Sequence, residues 1–291
     1  MRIPASFAAA LFAATFATAP SFAGDLHKFA DTSRLVSIGG SLTEIFYELG
    51  AEDALVARDQ TALYPEAALS LPDVGYMRAL APEGVLSVNP SGLLVIEGSG
   101  PPEALEVLAY AGVEYQTVPE GYSAEGVLTK VRAVGQALGL DERAEALAQK
   151  LEADFTALKA RTGSIAAPKK VLFILSNQGG QIQASGTGTA ANGIIALAGA
   201  ENAITEYEGY RPLSEEAITA AAPDAILLMD RGGDHGATET DLLEHPAIAL
   251  TPAGQNKAIY RMDGAYLLGF GPRTAAAASE LADLLEGKGH E

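Results

Sequence analysis

The sequence predicts an α/β protein: two lobes with parallel sheets, joined by a single long α-helix, with a ligand cleft between the lobes. Three observations predict it. Short β-branched or leucine-rich runs alternate with helical stretches, the signature of parallel sheets with crossover helices. One stretch, Asp141 to Arg161, is helical throughout and contains no strand. Features of the first half also recur in the second.

The chain has 291 residues, no cysteine and a formal net charge of -18. Nucleic acid is not an expected partner, because that needs a basic face. The start carries Met1 and Arg2, then an Ala/Phe/Leu-rich run from about Ala8 to Ala17, then Ser21 and Ala23 spaced for cleavage. Residues 1–23 therefore read as a secretory signal, with the mature chain starting at Gly24. The apolar run is shorter than the roughly 20 residues a membrane span takes. Without cysteine there are no disulfides and no thiolate-held metals. An exported, soluble protein of this size without such staples suits the bacterial periplasm.

The first lobe, residues 24–140, carries expected strands at Arg34–Ile38, Leu55–Ala57, Leu93–Ile96 and Tyr115–Val118. Its first helix is expected to open on a capping box, Ser41-Leu-Thr-Glu44. The linker helix, residues 141–163, places Ala144, Leu147, Leu151, Phe155 and Leu158 on one apolar face, with Gly163 as C-cap. It would be about 30 Å long at 1.5 Å per residue, longer than an ordinary crossover within one sheet. The second lobe, residues 164–291, has expected strands at Val171–Leu175, Ala225–Met229 and Ala258–Arg261.

The halves echo each other. Gly50-Ala-Glu-Asp-Ala-Leu55 resembles Gly199-Ala-Glu-Asn-Ala-Ile204. Glu83 and Glu216 each precede a proline, Pro90 and Pro223, by seven positions, and each proline precedes a leucine-rich strand. Gly50 to Glu83 spans 33 positions and Gly199 to Glu216 spans 17, so the first lobe holds 16 more residues here. That stretch contains Leu63-Tyr-Pro65 and Gly75-Tyr-Met-Arg78. Function tends to sit in such insertions.

Ligands of α/β lobes bind at the carboxyl ends of strands and in clefts between domains. His27, His235, His245 and His290 have no metal-like spacing; His235, in a Gly-rich loop, is the best placed of them. There is no nucleophile elbow, phosphate loop or zinc-protease motif, and Gly186-Thr-Gly188 lacks the rest of a dinucleotide fingerprint. No enzymatic activity is expected. Tyrosine remains. A phenol titrates near 10, but as phenolate it is a hard ligand for ferric iron and a known axial ligand of haem. An arginine nearby favours the phenolate form. Tyr76 and Arg78, two apart, can face one way in an extended loop. A packed turn tyrosine is the commoner reading of such a pair.

These residues resemble the periplasmic haem-binding proteins of bacterial ABC haem importers. The resemblance covers nearly the whole mature chain. It is carried by Leu63-Tyr-Pro65, Leu71-Pro-Asp-Val-Gly-Tyr-Met-Arg78, Glu83-Gly-Val-Leu86, Thr189-Ala-Ala-Asn192, Tyr210-Arg-Pro-Leu-Ser214 and Leu268-Gly-Phe-Gly-Pro-Arg273. The run around Tyr76 is fairly specific to the haem branch; the lobe–helix–lobe plan is shared with cobalamin and siderophore binders.

The resemblance implies two Rossmann-like lobes with ferric haem in the cleft, Tyr76 as axial iron ligand and Arg78 hydrogen-bonded to its oxygen. Arg211, and more weakly Tyr210 and Arg273, would meet the haem propionates. Some relatives add a histidine from the second lobe; this chain has Leu175-Ser-Asn-Gln178 there. The departure points to tyrosine alone, or to a small ligand or water opposite it, and away from stacked haems. Glu83 and Glu216 would dock the lobes on an inner-membrane ABC permease served by its ATPase. As N-terminal glutamates they could equally serve their own helix dipoles. An outer-membrane haem receptor system would lie upstream, and the protein would act as a monomer. A ferric siderophore or a corrinoid is the alternative cargo. The lack of Trp and the 7% aromatic content speak against the siderophore.

Overall fold

The computed structural model describes residues 26–230 and 238–288. The expected signal segment, His235 and His290 lie outside the described residues. The chain opens with β1 (Leu35–Ile38), α1 (Gly40–Glu48), β2 (Leu55–Arg58), α2 (Pro82–Leu86), β3 (Gly92–Ile96), α3 (Pro102–Tyr110), β4 (Glu114–Val118) and α4 (Ala124–Leu138). Helix α5 (Asp141–Thr162) follows. Then come β5 (Lys170–Gln178), β6 (Gln181–Ser185), α6 (Ala190–Leu197), β7 (Glu201–Asn202), β8 (Tyr210–Leu213), α7 (Glu215–Ala221) and β9 (Ala225–Asp230). The chain ends with α8 (Glu239–Leu243), α9 (Pro246–Ala249), α10 (Pro252–Gln255), β10 (Ile259–Asp263), α11 (Gly264–Leu268) and α12 (Thr274–Leu285).

The first sheet has the order β2-β1-β3-β4 and is parallel throughout. Its central strands, LVSI and GLLVI, are buried at every position. Such near-continuous apolar runs, interrupted in β1 by Ser37, belong to parallel strands covered on both faces. In the second sheet β7, β9 and β10 continue from β5 in the same way, all parallel, in the order β7-β5-β9-β10. The two sheets therefore repeat one topology, with β1 matching β5, β2 matching β7, β3 matching β9 and β4 matching β10. The echoed segments fall at matching places. Gly50 and Gly199, with φ 61° and 74°, follow α1 and α6. Glu83 and Glu216 occupy the first turns of α2 and α7.

The second sheet departs from the expectation of purely parallel strands. β6 returns antiparallel along β5, and β8 pairs antiparallel with β6. The cause is local: Gly179 and Gly180 take φ 59° and 82°, which gives β5 a two-residue hairpin turn. Side chains of this sheet alternate between faces. Val171, Phe173, Ala225 and Leu227 join a core that continues through α4, α5, α6 and α12 into the first sheet. Leu172, Ile174, Ile226 and Leu228 face a smaller core with α7, α8 and α9.

α4 ends at Gly139, in the left-handed region at φ 69°, and its terminal carbonyls accept from Gly139 N and Leu140 N. α5 then starts at once. Its acidic first turn (Asp141, Glu142) and basic last turn (Lys159, Arg161) both suit the helix dipole. Its buried face includes the five residues expected, and Gly163 is its C-cap. Arg143 near its start donates to the Leu49 carbonyl of the first lobe. Arg161 near its end pairs with Asp283 at 2.6 Å in α12.

The expected capping box at α1 is not formed. The helix begins two residues earlier than that box requires, with Gly39 as N-cap at φ 122° and no side-chain cap of its own. The β2–α2 loop supplies the cap instead: Asp59 Oδ1 accepts from Gly39 N and Thr61 Oγ1 from Gly40 N. This leaves Ser41 and Glu44 inside the helix, buried, with other partners.

Candidate functional site

The carboxyl ends of the first-lobe strands lead into three loops. Residues 59–81 follow β2, residues 97–101 follow β3 and residues 119–123 follow β4. The longest carries Tyr76 and Arg78, and it is held firmly. Arg58 N donates to Pro72 O and Val74 N to Arg58 O; Gln60 N donates to Gly75 O. Gly100 N donates to Met77 O, and Leu80 N to Gly100 O. Buried Arg58 also reaches in, donating to the carbonyls of Ala68 and Asp59. Val74, Met77 and Leu80 are buried. Gly75, at φ 102° and with its nitrogen bonded to Asp73 Oδ1, makes the turn between them.

On this frame Tyr76 is 39% exposed, and Arg78 Nη1 donates to its Oη at 3.0 Å. Both sit on the outer side of the loop, as the two-residue spacing suggests. Tyr76 stands at a turn, its carbonyl accepting from Ala79 N, and its ring is exposed. Two more phenols lie within electrostatic reach of Arg78: Tyr122, after β4, and Tyr210, on the second-lobe strand β8. Desolvation works to lower the Arg78 pKa, but the Tyr76 hydrogen bond and the three phenols outweigh it, and the net direction is up. Burial pushes Tyr122 and Tyr210 up as well. Arg78 opposes this at both, as do the Thr189 hydroxyl and the Ala191 N–H at Tyr210. Arg78 therefore sits amid phenols from both lobes.

The other expected site residues fall as follows. Arg211 is exposed on β8, with its guanidinium carbon 5.5 Å from the Tyr207 ring centroid. Tyr210 is partly buried and meets Phe173 edge-on at 6.3 Å. Arg273 binds Glu44 with two nitrogens, Nη2 at 2.6 Å from Oε1 and Nε at 3.1 Å from Oε2. Its guanidinium also lies 3.6 Å from the Tyr64 ring centroid and 5.1 Å from that of Tyr266. The site-lining propionate contact expected of Arg273 is thus met first by a carboxylate of the protein itself. Glu83 and Glu216 are both exposed. The Glu216 carboxyl is held below its ordinary value, chiefly by its own backbone N–H and then by the Ser214 hydroxyl.

Sequence reasoning missed Tyr122, Tyr64 and Lys130. Tyr122 lies between β4 and the N-cap Ser123 of α4, where the rule of strand carboxyl ends applies. Lys130 is fully buried and gives no such signal. Its Nζ donates to Glu120 Oε1 at 2.6 Å, Phe270 O at 3.0 Å and Ser41 Oγ at 3.2 Å, which uses all three donors. Desolvation lowers its pKa, against the opposing pull of Glu120.

Among the described residues no group of three or more His, Asp or Glu could hold a metal ion. His27 pairs with Glu114 at 2.9 Å, and His245 is buried at the start of α9. No described helix is long and apolar enough to cross a membrane.

Comparison with known proteins bears on the site. Residues 35–266 match the family model described as periplasmic binding protein. The solved periplasmic heme-binding protein BhuT, in complex with two hemes, is 38% identical, with a TM-score of 0.83 over 88% of this chain and 98% of that one. The apo periplasmic heme-binding protein RhuT from Roseiflexus sp. RS-1 is 37% identical, with a TM-score of 0.84 over 89% and 99%. An uncharacterized ABC transporter substrate-binding lipoprotein of Bacillus subtilis is 26% identical over 87% of this chain and 80% of its own. A vitamin B12-binding protein of Yersinia pestis is 25% identical over 67% and 69%.

Proposed function

The chain belongs to the periplasmic binding protein family and is a substrate-binding protein of an ABC transporter, and from that premise we propose that its cargo is ferric haem. The observation that carries the reading is the Tyr76–Arg78 pair, 3.0 Å apart on a loop pinned from two sides. The donor set suits this cargo. Tyr76 supplies one hard oxygen to the open axial position of ferric iron. Arg78 donates to the same oxygen, draws off part of its electron density and so keeps the iron releasable. Tyr122 and Tyr210 offer ring faces and edges to the macrocycle. Arg211, exposed on β8, is the cation for a propionate, with Tyr210 beside it. No histidine stands in the 175–178 segment of β5, which supports coordination by Tyr76 with water or a small ligand opposite.

The protein would work outside the cytoplasm, in the periplasm, after removal of residues 1–23. Residues 24–140 and 164–291 would form the lobes, with 141–163 between them. Glu83 and Glu216, exposed on matching helices of the two lobes, would set its register on the permease by charge. Family and relatives are transport proteins, which supports delivery rather than turnover as the task.

A corrinoid is the second reading, and the B12-binding relative favours it. Titration of the purified mature protein with haemin, with cobalamin and with a ferric siderophore separates the two. Saturable binding of one haemin, with a high-spin ferric spectrum of tyrosinate type, is expected. Cobalamin displacing haemin would overturn the assignment. Two haems bound per chain would remove the single-haem expectation; the solved BhuT structure is a complex with two hemes.

A further inference from the structure

Residues 268–273, Leu-Gly-Phe-Gly-Pro-Arg, belong to the second lobe, yet the Phe270 carbonyl and the Arg273 side chain form hydrogen bonds to the first. Phe270 O accepts from Lys130 Nζ of α4 at 3.0 Å. The Phe270 ring meets Tyr122 edge-on at 5.3 Å. Gly271 lies so close to α1 that a Cβ there would stand 3.2 Å from Glu44 Oε2 and 3.4 Å from Ser41 Cα. Arg273 grips Glu44 of α1 and covers the ring of Tyr64 in the β2–α2 loop. Phe270 holds an uncommon positive φ of 48° to do this. Glu44 has an 8% exposed side chain, so its carboxylate depends on Arg273 for compensation.

Tyr64 and Tyr122 are aromatic groups of first-lobe loops that carry or border the Tyr76 site. Each is touched by one residue of this second-lobe segment. We infer that residues 268–273 are a positioning element, in which Arg273 fixes Tyr64 and Phe270 fixes Tyr122, so that one lobe sets the aromatic wall presented by the other. Arg273 thereby acts through Tyr64 and not as a direct contact of the cargo. The inference deepens the haem reading and rests on it for its functional arm, while its structural arm needs no ligand.

The structural arm is nitration of tyrosines by tetranitromethane, mapped by peptide mass spectrometry on the unliganded protein. Arg273→Gln removes the guanidinium from one face of Tyr64 and should raise Tyr64 nitration several-fold, with Tyr110 as the unaffected internal control. Because that variant strands a buried carboxylate, the paired Glu44→Gln/Arg273→Gln variant removes both charges and should give the same result in a folded chain. Unchanged Tyr64 nitration in the paired variant would overturn the inference. The functional arm is the rate of haemin loss to a scavenger globin. Arg273→Gln and Tyr64→Ala should each speed loss about tenfold, and the double variant should be no faster than Tyr64→Ala alone. Multiplying effects would assign Arg273 a separate role and overturn the positioning role. Failure of haemin to bind the wild type would refute the cargo assignment, leaving nitration to decide on the positioning.

Discussion

Arg78 Nη1 lies 3.0 Å from Tyr76 Oη, on a loop whose backbone is bonded to the loop after β3 and to the end of β2. The pair is thus presented in a set geometry before any ligand arrives. A hydrogen bond to a group that is charged in the complex contributes about 1.5–3 kcal/mol. Arg78→Ala should therefore change haem affinity by roughly ten- to hundredfold and shift the absorption bands of the complex, with little change in thermal stability. Stopped-flow haem transfer together with a melting curve checks both. An unaltered spectrum would mean that the guanidinium does not touch the ligating oxygen.

Asp59 is fully buried and caps α1 through Gly39 N while also binding Thr61. Desolvation raises its pKa, against the hydrogen bonds that lower it. A raised folded value means that its contribution is fully present below the ordinary carboxylate range and is lost as pH rises through the folded value. The stability gap between wild type and Asp59→Asn should therefore be wider near pH 4 than at pH 7. Urea unfolding at the two pH values tests the sign; a gap that narrows on acidification would contradict it.

Lys130 joins α4 to Glu120, to Ser41 of α1 and to Phe270 of the second lobe. Removing one partner of a buried ion pair costs about 3–5 kcal/mol, because the other is left uncompensated. Lys130→Met should lose stability of that order in chemical denaturation. A loss below about 1 kcal/mol would place the group in a far wetter setting than the structure gives it.

Glu83 and Glu216 occupy matching positions, the second residue of α2 and of α7. Reversing both to lysine should abolish haem uptake in cells while leaving haem affinity of the purified protein within about twofold, since exposed surface substitutions rarely disturb the fold. Weakened haem binding in that variant would instead mark the two as structural.

How much of this was legible in the sequence follows from the range of the interactions. The core strands were visible because parallel strands buried on both faces leave unbroken apolar runs, such as Leu93 to Ile96. α5 was visible because its buried face repeats at helical spacing. The duplicated plan showed in Gly50/Gly199 and Glu83/Glu216, and the shared topology of the sheets accounts for it. The β5–β6 hairpin was missed because Gln181 to Ser185 is polar on one face, although Gly179-Gly180 is a turn signal in its own right. The capping box at Ser41 was misread because the cap arrives from Asp59 and Thr61 in another loop. Glu44 and Arg273 stand 229 positions apart, and no local pattern links residues so distant. Lys130 reads as a solvated helix residue until the second lobe closes over it. In the site, the neighbours Tyr76 and Arg78 were legible, whereas Tyr122 and Tyr64 became site residues only once the fold had set them beside Arg78 and Arg273.

The most direct test of the central claim is the absorption spectrum of the haemin-loaded protein, wild type against Tyr76→Phe. This exchange removes one oxygen and keeps the ring. The wild type should show a high-spin ferric spectrum of tyrosinate type. Tyr76→Phe should lose those bands and release haemin far faster. An identical spectrum in the two proteins would show that another group holds the iron.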